Sequence, residues 1–229
     1  MPILFEKKKF VVPGEILAEG DYVAGNNTYK EAGKLFSVCI GLANSEGKTV
    51  YVSALKSFYS PVVGDLVIGK IVDIGFSGWV VDVEAPYLAT LRASEVLGRQ
   101  FNSQKTDLRS IFDIGDQLLS EVIAFDRTRD ILLTVRDQGL GKIRKGLITR
   151  ITPSKIPRVI GRKGSMVNML KKDIGCNIVV AQNGLILIEG TTIQDEDLAA
   201  KAIRKIELES HLNGLTDSVA EMIRKEKRV

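Results

Sequence analysis

Over its first 59 residues the chain holds no segment long enough or periodic enough to make a helix, and turn-forming residues interrupt it every few positions. That restricts this part of the molecule to short strands. Pro13-Gly14, Ala24-Gly25-Asn26-Asn27 and Asn44-Ser45-Glu46-Gly47-Lys48 read as turns. Between them, Leu35-Phe36-Ser37-Val38-Cys39-Ile40 and Thr49-Val50-Tyr51-Val52 carry the β-branched and aromatic residues of strands. Pro61 and Gly64-Asp65 mark a boundary. Beyond it, segments 66–74, 78–83, 87–91, 117–125 and 130–135 read as five strands, with a polar insertion at 98–110. The charged turn Asp126-Arg127-Thr128-Arg129-Asp130 joins the last two. Five short strands punctuated by turns suit a small closed barrel of the OB type, a two-sheet sandwich being the competing arrangement.

After residue 138 the rhythm becomes mixed. Residues 145–152 form a strand, and 156–160 and 165–174 are short helices either side of Gly161-Arg162-Lys163-Gly164. Strands 176–181 and 185–189 are joined by Asn183-Gly184, a strong hairpin signal. Residues 195–208 make an amphipathic helix with Ile193, Leu198, Ala202 and Ile206 on one face and acids at its start, where the helix dipole favours them. A last helix, 216–227, starts with Thr216 as its cap. The order is β-α-α-β-β-α. The expected fold is multidomain, mainly β with an α+β part: an N-terminal β domain over 1–60, a five-stranded OB-type barrel over 61–137, and the βααββα domain with its C-terminal helix over 138–229.

Several chemistries lack the residues they need. The 229 residues contain two cysteines, Cys39 and Cys176, and one histidine, His211. A zinc site takes about four nitrogen or sulfur ligands at close spacing. Nucleophile-plus-imidazole catalysis would rest on His211 alone, which reads as a helix-surface residue. Both cysteines lie in apolar stretches and read as small buried residues. No metal and no cofactor are expected. No run of 18 apolar residues is present, so no membrane span is expected. The first thirty residues carry Glu6, Glu15, Glu19 and Asp21 without an apolar core, which points away from a secretory signal and toward the cytoplasm.

Charge supplies the positive clue. Residues 1–137 hold 15 Lys and Arg against 18 Asp and Glu, and residues 138–229 hold 17 against 10. Within 142–172 there are ten cations (Lys142, Arg144, Lys145, Arg150, Lys155, Arg158, Arg162, Lys163, Lys171, Lys172) and no acid. A stretch without an internal counter-charge is matched by an external polyanion, of which a nucleic-acid backbone is the commonest.

Gly161-Arg162-Lys163-Gly164 sits inside that stretch. Two glycines around two cations let the backbone bend tightly and approach a sugar-phosphate chain, while amides at the start of the next helix face phosphate oxygens. In a β-α-α-β-β-α order this arrangement resembles the type I KH domain, whose GXXG loop clamps about four nucleotides. Lys155 and Arg158 precede the loop and join it in the expected RNA-binding set. In the barrel segment, Phe76 and Trp79 stand at the head of an alternating strand, where flat rings could stack on unpaired bases or simply fill the core. With Gly115-Asp116-Gln117 and the Asp126–Thr134 hairpin, this segment resembles the S1-type RNA-binding barrel. That resemblance implies RNA contact by Phe76 and Trp79. It places Arg92 where many members have histidine, and Arg129 and Arg136 in the terminal hairpin. A guanidinium at 92 can still stack or pair with phosphate.

The whole chain, from Val11-Val12-Pro13-Gly14-Glu15 with Ala18-Glu19-Gly20 and Thr28-Tyr29 through barrel and KH domain, resembles the KH-bearing RNA-binding cap subunits of the archaeal exosome. The resemblance implies a homotrimeric cap, alone or mixed with another cap subunit, on a hexameric ring of RNase PH-like subunits. Single-stranded RNA would be recruited and its 3′ end guided into the ring, which performs the phosphorolysis. The N-terminal domain, without basic excess or aromatic cluster, suits a protein partner. Two other functions stay open: a free-standing translation or RNA-chaperone factor, and a nuclease, although the acids are scattered in turns and helix starts such as Asp195-Glu196-Asp197.

Overall fold

A computed structural model of the chain describes residues 3–6, 8–55, 58–98, 107–126, 129–210, 212 and 214–227, with the backbone alone at Arg129. The chain divides into two units, Met1–Ser57 and Phe58–Val229.

The first unit is made of strands β1 (Phe10–Val11), β2 (Ile16–Glu19), β3 (Val23–Ala24), β4 (Thr28–Glu31), β5 (Lys34–Ser37), β6 (Gly41–Glu46) and β7 (Thr49–Ala54). They form two small sheets, β1-β6-β7-β3 and β2-β5-β4. Val11, Leu17, Leu35, Val50 and Val52 fill the space they enclose; every second residue of β5 and β7 turns inward as the strand period requires, whereas a register shift in β2 buries both Leu17 and Ala18. The β6–β7 hairpin closes on Gly47-Lys48, with Gly47 at φ 58°, so Asn44, Ser45 and Glu46 lie in β6 rather than in the turn expected for them. The strand expected to reach Ile40 stops at Ser37, whose hydroxyl donates to Cys39 O (2.7 Å) and turns the chain. Cys39 is consequently half-buried at the edge of the core and not inside it.

The second unit begins with the barrel. Its strands are β8 (Leu66–Ile74), β9 (Gly78–Asp82), β10 (Ala89–Arg92), β11 (Gln117–Asp126) and β12 (Arg129–Thr134), with a short helix α1 (Ala93–Leu97) after β10. The order β12-β10-β9-β8-β11 closes through β11–β12 pairing, which settles the choice between barrel and sandwich. Register shifts on β8–β9 and β11–β12 provide the bends that closure needs. Residues 99–106 of the polar insertion lie outside the described residues, but its return plugs the barrel with Leu108 and Phe112. Asp126 pairs with Arg129, and Arg127 and Thr128 between them lie outside the described residues. A two-strand-residue segment, β13 (Gly141–Lys142), adds to the free side of β11.

The α+β part follows as β14 (Leu147–Arg150), α2 (Ile156–Ile160), α3 (Ser165–Ile174), β15 (Asn177–Val180), β16 (Leu185–Glu189), α4 (Ile193–Leu208) and α5 (Leu215–Glu226). The antiparallel sheet β14-β16-β15 is covered by the helices, around a core that includes Val159, Leu170, Ile178, Ile186, Ile188, Ala202, Ile206, Val219 and Ile223. Thr192 caps α4 by accepting from Asp195 N–H (3.2 Å). In return the Thr192 and Thr191 hydroxyls donate to Asp195 Oδ2, holding that carboxyl below the usual carboxylate range. Thr216 does not cap α5: the cap position is Gly214 at φ 72°, with no side-chain bond. His211 lies outside the described residues.

Barrel and βααββα domain meet over an apolar seam of Ile68, Leu119, Ala181 and Leu187. Asn183-Gly184 does join β15 to β16, but only Gly184 has positive φ (87°), and Gly184 N–H closes the turn on Ala181 O (3.3 Å). The Asn183 side chain is buried and bonded to the barrel: Nδ2 donates to Ile68 O (2.7 Å) and Val83 O (2.9 Å), and Oδ1 accepts from Ile68 N–H (3.4 Å).

Candidate nucleic-acid interface

The loop between α2 and α3 is shaped by its glycines. Gly161 stands at φ 73°, ψ 177°, a conformation open to glycine almost alone, and its N–H ends α2 on Pro157 O (3.0 Å). The chain then doubles back so closely that a Cβ on Gly161 would lie 2.8 Å from Met166 N. Lys163 (φ 54°, ψ 32°) and Gly164 (φ 79°, ψ 11°) are both left-handed. This geometry pushes the Arg162 and Lys163 side chains into solvent, where neither makes an ion pair with a described residue. No side chain caps α3, although its first N–H, that of Ser165, already donates to Arg162 O. A cavity of about 360 Å³ lies against the loop, lined among others by Arg158, Gly161, Arg162, Ser165, Thr216 and Asp217.

The other cations of the acid-free stretch divide. Arg158 is committed to the fold: Nε donates to Ser210 O (2.7 Å) and a terminal nitrogen to Leu212 O (2.9 Å). Lys155 Nζ donates to Ser210 Oγ (2.6 Å). Both tie the start of α2 to the segment after α4 through neutral oxygens, which leaves their positive charge in place, and Arg158 borders the cavity, so their contact with RNA is a proposal. Lys142 pairs with Asp116, and Arg150 with Glu84, acids that the barrel supplies from outside the stretch. Arg144, Lys145, Lys171 and Lys172, with the loop pair, form no ion pair with a described residue.

On the barrel, Phe76 is 98% exposed at the tip of the β8–β9 turn. Arg92 is exposed at the end of β10, opposite Gly78, and the next residue's N–H donates to Ser77 O (2.8 Å), which sets Arg92 beside the Phe76 turn. Trp79 is the correction. It is completely buried, packs edge-on against Phe112 (centroids 5.2 Å, 89°) and donates Nε1–H to Phe112 O (2.9 Å). It can offer no face to a base. Arg136 is partly engaged, with Nε 3.2 Å from Glu95 Oε2 and a terminal nitrogen donating to Ser94 O, yet its side chain remains 59% exposed. Arg129 starts β12, and its side chain lies outside the description. Sequence reasoning missed Tyr87, which is 63% exposed with its ring 6.2 Å from that of Phe125. Placing 87 inside a strand hid it; β10 begins only at Ala89. The signal available was Pro86, which favours a loop there.

The remaining reactive groups are quiet. Burial pushes the thiols of Cys39 and Cys176 up, the Asp195 and Glu196 carboxylates adding to the effect at Cys176. Among the described residues no group of three His, Cys, Asp or Glu side chains is placed to hold a metal, and no helix is long and apolar enough to cross a membrane.

A closed OB-type barrel with a solvent-exposed aromatic turn, joined to a KH fold whose GXXG loop bears two free cations, defines an RNA-binding protein of the S1/KH class. Residues 8–56 match the exosome RNA binding protein RRP4 N-terminal domain, 58–124 the RRP4 S1 domain, and 148–206 the KH domain. Exosome complex component Rrp4 of Methanobrevibacter smithii is 45% identical over 217 residues, covering 95% of this chain and 71% of that protein. Its namesake in Pyrococcus horikoshii is 44% identical over 223 residues, covering 96% of this chain and 84% of that one. A crystal structure named "putative exosome complex RNA-binding protein" superposes with a TM-score of 0.72 at 43% identity, over 75% of this chain and 98% of that chain. The chain belongs to the Rrp4 family of exosome complex components.

Proposed function

We propose that the chain is a noncatalytic RNA-binding cap subunit of an exosome. It recruits single-stranded RNA and guides the 3′ end into a hexameric phosphorolytic ring, in the cytoplasm. Three copies form the cap, residues 1–60 grip the ring, and the barrel (61–137) and KH domain (138–229) hold the RNA. The observation that carries this reading is the free Arg162-Lys163 pair on a glycine-bent loop, in the same structural unit as the exposed Phe76 turn. Phosphate attraction and base stacking are both indifferent to sequence, as a device that feeds any strand into a pore requires. The noncatalytic part is supported by an Asp195 carboxylate already engaged by Thr191 and Thr192.

Arg162→Glu combined with Lys163→Glu tests it. Each phosphate contact on a single strand contributes about 0.7 to the slope of log affinity against log salt, so losing two flattens the slope by about 1.4. Unchanged affinity and slope would remove the loop from the site. Purified chain that degrades labelled RNA without ring subunits would overturn the noncatalytic reading.

A further inference from the structure

The cavity of about 360 Å³ beside the glycine loop is walled by α2, the start of α3 and the start of α5, and no strand lines it among the described residues. Its apolar lining comes from Pro157, Met166 and Leu215. Arg158 fixes one wall: its bonds to Ser210 O and Leu212 O hold the segment after α4 against α2, and its guanidinium keeps its charge. Arg162 reaches the cavity from the loop itself and forms no ion pair with a described residue. Against these two cations stands a single carboxylate, Asp217. It is the third residue of α5, as Asp195 is of α4. The carboxylate of Asp195 is taken up by the Thr191 and Thr192 hydroxyls. At α5 the cap is Gly214, which has no side chain to offer, and the Asp217 carboxylate bonds to no described residue.

Those groups together call for a ligand with an anionic end, a donor for the carboxylate and an apolar face. Bare phosphate fits badly, because Asp217 repels it, and a metal ion fits badly, because two guanidiniums stand beside the one carboxylate. A nucleotide supplies all three, and the volume lies in the range of small-molecule sites. The sugar is bonded directly to the phosphate, so a phosphate held by Arg162 brings its ribose to the cavity. A carboxylate can only accept, and the donor that every unit of an RNA backbone carries is the 2′-hydroxyl. We propose that one ribose of the bound strand enters this cavity and donates its 2′-hydroxyl to Asp217, so that the chain selects RNA over DNA without reading the base. This rests on the RNA-binding reading above and names the chemistry that sets its specificity. Ser165 and Thr216, whose hydroxyls rotate to donate or accept, stand in the same lining for the other sugar and phosphate oxygens.

The test measures binding of the full chain to three labelled strands of one sequence, oligouridylate and its 2′-deoxy and 2′-fluoro forms, at one salt concentration. The 2′-fluoro sugar keeps the pucker of RNA but has no donor. The unmodified chain should hold the ribo strand about tenfold more tightly than either analogue, the effect of one hydrogen bond to a charged group at an open site. Asp217→Ala should bring that ratio to about one by losing ribo affinity. Asp217→Asn, which keeps the shape and a neutral acceptor, should give an intermediate ratio, and it decides the matter if the alanine variant fails to fold. A ratio near one in the unmodified chain overturns the ribose site and leaves strand binding standing. So does a variant that keeps the parent's ratio while its affinity for all three strands rises together, since Asp217 would then act only by repelling phosphates. Unmodified chain that binds none of the strands overturns the RNA-binding reading, and the ribose site with it.

Discussion

Replacing the two loop glycines one at a time separates backbone geometry from simple flexibility. Gly161 sits in a region of φ/ψ that costs an L residue about 1–3 kcal/mol. An alanine Cβ there would also stand 2.8 Å from Met166 N, 2.9 Å from Met166 Cβ and 2.9 Å from Ser165 Oγ, so the start of α3 must shift. Overpacking of this kind costs about 1–3 kcal/mol. The stiffer unfolded chain returns about 0.4–1 kcal/mol, leaving a net loss of about 3 kcal/mol for Gly161→Ala. Gly164 is left-handed but open: its Cβ would meet Asn168 Nδ2 at 3.4 Å, ordinary contact. A left-handed alanine costs about 1–2 kcal/mol, and the same entropic return leaves about 1 kcal/mol. The assay is urea unfolding followed by circular dichroism, because α2 to α5 all lie in the KH part while the single tryptophan reports on the barrel. Single-stranded RNA affinity is read on the same samples. Gly161→Ala should lower the helical midpoint well below that of Gly164→Ala and weaken RNA binding at least tenfold. Equal midpoints, or a larger loss at Gly164, would refute the doubled-back loop.

Phe76→Ala should leave thermal stability unchanged and reduce RNA affinity by about 1–3 kcal/mol, the worth of one stacked base, whereas Trp79→Ala should cost about 3–5 kcal/mol of barrel stability by emptying the core. Calorimetry beside fluorescence anisotropy distinguishes them, and a large melting shift for Phe76→Ala would contradict its exposure. Asp195 has its carboxyl pKa lowered by Thr192 and Thr191, so the stability it lends is present above its unfolded value and is lost as pH falls through the lowered folded one. Asp195→Asn should therefore reduce the acid-side dependence of the urea midpoint, and a variant with the parent's full pH dependence would show that this cap does not contribute.

The features legible in the sequence are those written locally. A GXXG loop between helices, an Asn-Gly hairpin and strand segments bounded by turn residues each depend on neighbours within a few positions, and the helices at Ile156–Ile160 and Ser165–Ile174 fall where the pattern puts them. Trp79 could not be read this way. Its burial is decided by Phe112, brought across 33 positions by an insertion whose composition looks polar. The free charge was misjudged for a similar reason. An acid-free segment looks unneutralised from within, but Glu84 reaches Arg150 from 66 positions away, and backbone carbonyls at Ser210 and Leu212, which carry no formal charge, hold Arg158. The role of Asn183 beyond its turn was equally invisible, since the carbonyls it bonds belong to another domain.

That redistribution of charge bears on how tightly one chain can hold a strand. Four of the ten cations are engaged by the protein itself, and only Arg162 and Lys163 of the rest lie on the glycine loop. Two or three phosphate contacts give a log–log salt slope of only about −1.4 to −2.1, so affinity changes by about 7- to 20-fold between 50 and 200 mM salt, far from the thousandfold swings of extended polyanion binders. In the proposed role, a grip this light would let a strand move forward without a large barrier at each step. In the proposed cap, retention would come from repeated capture, by the barrel and KH loop of one chain and by neighbouring copies. In that reading, a weak single site is what passing an arbitrary strand onward requires.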